Sequence, residues 1–358
     1  MTVATAEGTT PCPTCGEVLL PGARFCEACG TATGLGPDPA DAGDPTEPGL
    51  APAPAAACDR CGGSIDADGY CTSCGHRAVE PITVEDRGDL AFATHRGRRH
   101  HRNEDAGGLG ATGEGWPVLV ACDGVSNSPN PHLAAAAAVA AATGRLAGRP
   151  FTGPGDLDDA VALAHHAASE VPAEGDPAWP ADGTHPACTI AIAVVTPGLV
   201  HLANVGDARA YVVGARDGGW AAAQVTTDDS VAAQAVAAGV DPDDALNAPA
   251  GHAITAWLGA DAPALAPHLA TASTSAGDLV LACSDGLWNY APADEDMSAL
   301  LTGMLPPPAA PLSGLAGVCE RLVAWAIAQG GADNIVVAMT PAWAVAGDDQ
   351  SIEREEEV

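Results

Sequence analysis

The sequence predicts an α+β fold in which antiparallel sheets and helices form a sandwich. Short apolar runs rich in Val, Ile and Leu are typical of buried strands. These runs come in clusters and the helical patterns are grouped elsewhere, whereas a parallel sheet would alternate strand and helix. The predicted strands are Leu90–Thr94, Val118–Ala121, Thr189–Val195, Leu199–Val205, Ala208–Val213, Leu279–Cys283 and Ile335–Met339. The predicted helices are Pro131–Leu146, Asp158–Glu170, Asp228–Gly239, Asp294–Gly303 and Ser313–Gln329. The strands from Thr189 to Val213 are expected to form a hairpin-like meander.

The composition limits the partners that the protein can have. With 358 residues, the chain can form one large domain or two ordinary ones with a sizeable core. Its formal net charge is −32, from 46 acidic and 14 basic residues, and all the basic residues are arginine. Because nucleic-acid binding usually requires a basic surface, this composition argues against a nucleic-acid partner.

The sequence also gives no sign of export or membrane insertion. The first residues contain neither a basic segment nor an apolar one, so no secretory signal is predicted. The longest apolar stretch, Leu133 to Ala142, is ten residues long and mostly alanine, which is too short to span a bilayer. We therefore expect a cytoplasmic protein, no membrane partner and reduced cysteines.

Eight of the 12 cysteines lie between residues 12 and 74, in two sets of paired C-x-x-C motifs. The first set is Cys12, Cys15, Cys26 and Cys29, and the second is Cys58, Cys61, Cys71 and Cys74. Each set supplies four thiolates for a tetrahedral zinc ion, with no open position for catalysis, so two structural Zn²⁺ ions are predicted. The alternatives are disulfides, which are disfavoured in the cytosol, and redox pairs, which would lack this duplication.

These features divide the chain into five segments. Residues 1–30 and 58–80 are predicted zinc ribbons, and the Pro/Ala/Gly-rich residues 31–57 between them are a disordered linker. Residues 84–343 form the main domain, and residues 344–358 are an acidic tail.

Three of the predicted strands meet an aspartate at one end. Asp123 follows VLVAC, Asp285 follows LVLACS, and Asp333 precedes NIVVAM. Carboxylates that converge at a sheet end need a counter-charge, because desolvating an isolated charge is costly. The chain has no lysine, so divalent metal ions are the expected counter-charge, and the protein is a candidate metal-dependent hydrolase. Any one of these aspartates alone could instead form or cap a turn.

A series of motifs carries a family resemblance. In chain order they are RGRRHHRNEDA, VLVACDGVS, HPACTIAIAVV, HLANVGDARAYVV, VTTDDS, ITAWLG, GDLVLACSDGLW and GGADNIVVAM. The ordered set resembles the PPM-type, metal-dependent serine/threonine protein phosphatases (the protein phosphatase 2C family) over roughly residues 88 to 340. The resemblance implies a four-layer αββα sandwich of two antiparallel sheets flanked by helices.

The resemblance also implies a set of metal ligands. They are Glu104, Asp123, the carbonyl of Gly124, Asp207, Asp285 and Asp333. Asp123 would bridge two ions, and Asp207 with Asp285 would hold a weaker third ion. Oxygen ligands favour Mn²⁺ or Mg²⁺ over zinc. Asp105 would orient the activated water that attacks phosphoserine or phosphothreonine in line. The alternative for Asp207 is that Gly206 and Asp207 simply close a hairpin.

The chain departs from the family where the phosphate is held. His100 stands where the family commonly has an arginine, and Arg99 and Arg102 lie close by. Histidine grips phosphate more weakly than the bidentate fork of arginine. We therefore predict an active phosphatase with an atypical substrate grip, in which Arg99 and His100 face the phosphate.

The expected partners are phosphoprotein substrates and, by family resemblance, a serine/threonine kinase, with the zinc ribbons as a second contact for protein partners. Two alternatives remain open. One is a degenerate phosphatase fold that acts as a scaffold or sensor, and the other is a zinc-ribbon interaction protein.

Overall fold

The computed structural model describes residues 10–11, 18–19, 57–58, 60–65, 70–75, 80–172, 184–216, 218–308 and 314–343. The chain divides into two compact units, Met1–Val79 and Glu80–Val358. The predicted ligands Cys12, Cys15, Cys26 and Cys29, residues 31–56 of the linker and the tail 344–358 lie outside the described residues.

Short antiparallel pairs characterise the first unit. Strands β1 (Thr10–Pro11) and β2 (Val18–Leu19) pair with each other. Further along, a tight turn returns the amide of Gly62 to the carbonyl of Cys58, N to O 2.8 Å, and a similar turn joins Gly75 to Cys71. Both glycines have positive φ, +73° and +68°, a backbone conformation that other residues rarely adopt. These turns bring the two cysteines of each pair onto one side of the chain.

The second unit contains the remaining elements. Its strands are β3 (Thr83–Asp86), β4 (Ala91–His95), β5 (Ala106–Ala111), β6 (Pro117–Cys122), β7 (Ala187–Cys188), β8 (Ile190–Thr196), β9 (Leu199–Val205), β10 (Arg209–Arg216), β11 (Gly219–Gln224), β12 (Leu258–Gly259), β13 (His268–Ser273), β14 (Leu279–Cys283) and β15 (Ile335–Pro341). Its helices are α1 (Pro131–Leu146), α2 (Pro154–Ser169), α3 (Val231–Ala237), α4 (Pro242–Leu246), α5 (Asp285–Trp288), α6 (Asp294–Met304) and α7 (Leu315–Gln329). No helix of the described residues is long and apolar enough to cross a membrane.

The strands build two large sheets. One has six strands in the order β11-β10-β14-β15-β4-β3, and the other has five in the order β13-β9-β8-β6-β5. All neighbouring pairs within them are antiparallel. The short strands β7 and β12 form a separate antiparallel pair.

Alternation of side chains along the strands creates four layers. In β14, Leu279 and Leu281 face the core shared with α5, α6 and α7, whereas Val280 faces the core between the two sheets. In β6, Val120 faces the core shared with α1 and α2, and Leu119 faces the other sheet. Successive side chains of a strand point to opposite faces, so apolar runs without alternating polar residues bury both faces. The structure therefore confirms the α+β, four-layer αββα sandwich.

The longest apolar patterns were predicted most accurately. The bounds of β9, β14 and α1 agree with the prediction, and β4, β6, β8, β10, β15, α2, α6 and α7 differ from it by a few residues. The main domain includes β3, which begins at Thr83, one residue before the predicted boundary.

Two sequence interpretations were wrong. The segment from Thr189 to Val213 is not one meander, because β8 and β9 form a hairpin in one sheet whereas β10 belongs to the other. Gly206 and Asp207 therefore connect two sheets and do not close a hairpin. Helix α3 begins at Val231 and not at Asp228, because the side chain of Ser230 caps it by accepting a hydrogen bond from Ala233 N at 3.1 Å.

Candidate metal centre and active site

Carboxylates from both sheets converge at one end of the sandwich. Asp123 directly follows β6, Asp285 begins α5 two residues after β14, and Asp333 lies two residues before β15. Asp207 occupies the connection from β9 to β10. The negative charges of Asp207, Asp285 and Asp333 all act on Asp123, so the predicted acidic residues form one cluster.

Burial and mutual repulsion disfavour ionisation of the carboxyl groups in this cluster. Burial and then the neighbouring charge of Asp105 raise the pKa of Asp123 well above its usual range. Burial, followed by repulsion from Asp285, raises the pKa of Asp207 in the same way. Burial and the charge of Asp333 raise the pKa of Asp285 to about 7. A bound divalent cation would reverse these shifts, because it stabilises the ionised carboxylates.

Among the residues that the structure describes, two carboxylate oxygens of the cluster have no hydrogen-bond partner. They are Asp105 Oδ1 and Asp285 Oδ1, and both are buried. Unpaired buried polar atoms are rare and require an explanation such as an ion. The ligand set is made only of oxygen atoms, which suits Mn²⁺ or Mg²⁺. The residues present therefore fit such ions.

His100 lies between two of the predicted ligands. Its Nε2 is 3.1 Å from Asp333 Oδ1, and its Nδ1 is 3.8 Å from Glu104 Oε2. The hydrogen bond to Asp333 is the main cause of the raised pKa of His100. Burial opposes ionisation of Asp333, but the hydrogen bond and charge of His100 outweigh it and lower the pKa of that carboxyl. His100 therefore contacts the predicted ligand Asp333 directly and lies close to the predicted ligand Glu104.

Glu104 is held from two directions. Ser126 Oγ donates a hydrogen bond of 2.8 Å to Glu104 Oε2, and the backbone N–H of Glu104 donates one to Asn334 Oδ1. Gly124 approaches the same residue so closely that a Cβ at this position would lie 2.6 Å from Glu104 O. Only glycine permits this approach, which brings the predicted carbonyl ligand of Gly124 beside Glu104.

Asp105 is fixed by a serine that sequence reasoning missed. Ser284 Oγ donates a hydrogen bond of 2.6 Å to Asp105 Oδ2 and accepts one of 3.0 Å from Val336 N. Ser284 is fully buried, and Asp105 is 7% exposed. The sequence signal that could have identified Ser284 was its position directly before Asp285 in the SDG motif.

Asn334 was also missed, although it neighbours Asp333. Its Oδ1 accepts from Glu104 N at 3.0 Å, and its Nδ2 donates to the carbonyls of Arg96 and Arg102 at 2.9 and 3.0 Å. The side chain is 1% exposed. It therefore ties the segment that carries Asp333 to the loop that carries His100 and Glu104.

The backbone around Asp207 is supported by an aromatic and an ion pair. Trp288 Nε1 donates a hydrogen bond of 2.9 Å to Asp207 O, and the guanidinium of Arg209 stacks 3.7 Å above the Trp288 ring. Arg209 also forms a buried bidentate pair with Asp228, in which Nη2 donates to Oδ2 at 2.7 Å and Nε donates to Oδ1 at 3.2 Å. These contacts fix the connection between the sheets at the point where Asp207 lies.

Asp229 holds the same connection. Its Oδ2 accepts a hydrogen bond of 3.0 Å from Gly206 N, and its Oδ1 lies 2.8 Å from His268 Nε2. Gly206 has φ +88°, which favours glycine. The pair Asp229–His268 therefore fixes the glycine that precedes Asp207.

The second cysteine set forms a site by itself. The sulfur atoms of Cys58, Cys61, Cys71 and Cys74 all lie within 4.8 Å of one another. The pairs Cys58–Cys74 and Cys61–Cys71 have Sγ–Sγ distances of 3.7 and 3.3 Å. A tetrahedral zinc ion with bonds of about 2.3 Å places its sulfur ligands about 3.8 Å apart. The four thiols thus fit structural zinc.

An αββα sandwich with a cluster of buried carboxylates at the ends of both sheets defines a metal-dependent hydrolase. Residues 93–318 match the family model described as Protein phosphatase 2C, and residues 12–75 match the model described as Double zinc ribbon. The first match covers more than half of the chain. The protein therefore belongs to the protein phosphatase 2C family and carries an N-terminal double zinc ribbon, as the sequence predicted.

Characterised relatives share the main domain. The serine/threonine phosphatase stp of Listeria monocytogenes serovar 1/2a is 27% identical over 253 residues, which are 69% of this chain and 92% of that relative. The crystal structure of the PPM Ser-Thr phosphatase MsPP from Mycobacterium smegmatis, in complex with cacodylate, has a TM-score of 0.56 and 28% identity, covering 71% of this chain and 97% of that one. The catalytic domain of the serine threonine protein phosphatase PstP, in complex with 2 manganese ions, has a TM-score of 0.55 and 26% identity, covering 73% and 98%.

Proposed function

We propose that the protein is a metal-dependent protein serine/threonine phosphatase. The acidic cluster carries this proposal, because it combines buried carboxylates of raised pKa with two unpaired oxygens, Asp105 Oδ1 and Asp285 Oδ1. A related phosphatase catalytic domain binds two manganese ions, which supports the choice of metal. A scaffold that only binds phosphoproteins would not require such a concentration of uncompensated charge.

The proposed ligands of two or three Mn²⁺ or Mg²⁺ ions are Glu104, Asp123, Gly124 O, Asp207, Asp285 and Asp333. When bound, such ions lower the pKa of water and neutralise the charge on the phosphoryl oxygens. The charges of Asp105, Asp285, Asp333 and Asp207 all act on Asp123, so a cation held by this cluster would stabilise the ionised Asp123 carboxylate.

The protein's own groups would orient the reaction. Asp105 is fixed by Ser284 through one oxygen, and its other oxygen, Oδ1, would accept a hydrogen bond from the attacking water. Arg99 is exposed at the rim, where its guanidinium can bind the phosphate in a bidentate fork. His100 is held by Asp333 and Glu104, so we propose that it positions these ligands as well as facing the phosphate.

We further propose that the substrates are phosphoserine and phosphothreonine proteins in the cytoplasm and that a serine/threonine kinase is a partner. Each zinc ribbon would hold one structural Zn²⁺, the first through Cys12, Cys15, Cys26 and Cys29. The ribbons would bind protein partners without taking part in the chemistry.

Phosphate release from a phosphothreonine peptide and from p-nitrophenyl phosphate, measured with and without Mn²⁺, tests the proposed function. We expect Mn²⁺-dependent turnover that Asp123→Asn lowers at least about a hundredfold, because the variant removes the shared carboxylate. Asp158→Asn, which changes an exposed residue of α2, is the matched control and should behave like the wild type. Equal turnover by wild type and Asp123→Asn would contradict the proposal. Binding of Mn²⁺ without any turnover would favour a scaffold.

A further inference from the structure

A basic loop, residues 96–102, lies at the rim of the acidic cluster, and its residues from Arg98 to Arg102 are at least partly exposed. We propose that Arg102 of this loop, together with His132 of α1, binds acidic side chains that flank the phosphorylated residue, so that the enzyme prefers acidic phosphoproteins. The proposal rests on the proposed phosphatase function and names its substrate class.

The distribution of positive charge is the first support. Four of the 14 arginines of the chain occur within these seven residues, in a protein whose formal net charge is −32. Arg96 is buried and paired with Glu80, and other arginines are neutralised in the same way, as in the pairs Arg145–Asp156 and Arg209–Asp228. Arg102, in contrast, is exposed and forms no ion pair with a carboxylate of the described residues. Its charge is therefore available to a substrate.

The second support is that hydrogen bonds anchor the loop at both of its ends. Asn334 Nδ2 binds the carbonyls of Arg96 and Arg102 at the two ends of the loop. Arg98 N donates a hydrogen bond of 2.7 Å to Gly331 O. Gly97 has φ +69°, and a Cβ there would overlap Asp333 O. A fixed loop loses little conformational entropy on binding, so its charges can select a ligand.

Arg102 points toward a second element beside the site. Its Nη1 lies 3.2 Å from Nδ1 of His132, in the first turn of α1. Burial raises the pKa of Glu104. The charge of Arg102 acts to lower that pKa, as do the hydrogen bond of Ser126 and the charge of His100. Arg102 therefore lies near the proposed metal centre, and its guanidinium connects the loop to the first turn of α1.

Charge and geometry together select the ligand. A guanidinium binds a carboxylate through two parallel hydrogen bonds, and opposite charges across an interface favour one partner over another. When a phosphorylated side chain enters the metal centre, the residues on either side of it must cross the rim. Glutamate or aspartate at those positions would meet Arg102, whereas lysine would be repelled.

Three phosphothreonine peptides that differ only in their flanking residues, which are glutamate, glutamine or lysine, test the proposal. We expect kcat/KM to fall in that order, with a ratio of about tenfold between the glutamate and lysine peptides at low salt and a smaller ratio at high salt. Arg102→Glu should reverse the order, a change that loss of folding cannot produce. Arg149→Gln, which alters an exposed arginine beyond the other end of α1, should keep the wild-type order.

Equal kcat/KM of the wild type for the three peptides would overturn the proposal. An equal decrease for all three in Arg102→Glu would also overturn it, because Arg102 would then act on the phosphate itself. Turnover of p-nitrophenyl phosphate distinguishes an error in the peptide preference from an error in the phosphatase function. If the wild type hydrolyses it but shows no peptide preference, only the preference for acidic substrates is wrong, and if it hydrolyses nothing, the phosphatase function is wrong as well.

Discussion

The side-chain carbonyl of Asn334 accepts a hydrogen bond of 3.0 Å from the backbone N–H of Glu104. The two residues are 230 positions apart in the chain. Glu104 is a proposed metal ligand, and Asn334 directly follows another, Asp333. Asn334 makes two further hydrogen bonds, to the carbonyls of Arg96 and Arg102. One buried amide therefore joins the strand end that carries Asp333 to the loop that carries Glu104.

Replacing Asn334 should destabilise the protein. Asn334→Ala removes three hydrogen bonds and leaves buried backbone groups without partners, which should cost about 2–4 kcal/mol of unfolding free energy. Urea unfolding of the Mn²⁺-free protein measures this loss. Asn247→Ala, which removes one hydrogen bond from an exposed side chain, is the control and should cost less than about 1 kcal/mol. Similar values for the two variants would show that Asn334 does not join the two segments.

Stability of the metal-free protein should fall as the pH rises. Burial and repulsion by Asp333 raise the pKa of Asp285 from its usual value of 3.8 to about 7. The folded state therefore binds a proton more tightly than the unfolded state does, and the stabilisation is lost as the pH rises through this interval. We expect a lower Tm at pH 8 than at pH 5.5 in the presence of a chelator. Asp285→Asn, which cannot ionise, should show a weaker pH dependence, and a profile unchanged from the wild type would contradict this cause.

Asp229 should position Asp207 through the turn at Gly206. Asp229→Ala removes the acceptor of the Gly206 N–H, so we expect a stability loss of about 1–2 kcal/mol and a higher Mn²⁺ concentration for half-maximal activity. Asp229→Asn keeps an oxygen that can accept this hydrogen bond and should restore most of both properties. If Ala and Asn variants require the same Mn²⁺ concentration as the wild type, the turn does not depend on Asp229.

The second cysteine set should bind one zinc ion that the phosphatase chemistry does not need. We expect Cys71→Ser to lower the zinc content, measured by elemental analysis, by one ion per chain, because four-thiolate sites depend on all their ligands. Turnover of p-nitrophenyl phosphate should remain at the wild-type level. Unchanged zinc content would refute the assignment of this site.

Long apolar runs made most of the sandwich predictable. The bounds of β14 agree with the sequence pattern because all its residues are buried, and those of α1 agree because buried apolar residues recur along one face from Pro131 to Leu146. Strand β5 was missed because its sequence, AGGLGA, carries no strand signal. Its glycines are explained by tertiary packing, since a Cβ at Gly107 would lie 2.8 Å from the Phe92 ring and one at Gly108 2.6 Å from Val139.

The acidic residues of the candidate site could be proposed from motifs, whereas the groups that position them could not. Ser284 and Asn334 are small polar residues with many common uses, and only the folded structure brings them to Asp105 and Glu104. The sheet-to-sheet connection at Asp207 was likewise hidden, because two apolar runs joined by Gly-Asp also fit a hairpin. The roles of the proposed metal ligands stay predictions.

Isothermal titration of the zinc-loaded, Mn²⁺-free protein with Mn²⁺ tests the central claim most directly. If the carboxylate cluster is a metal centre, the wild type should bind at least two Mn²⁺ ions, and Asp123→Asn should lose or strongly weaken this binding because Asp123 lies among the other carboxylates. Equal Mn²⁺ binding by the two proteins, or none by the wild type, would contradict the account.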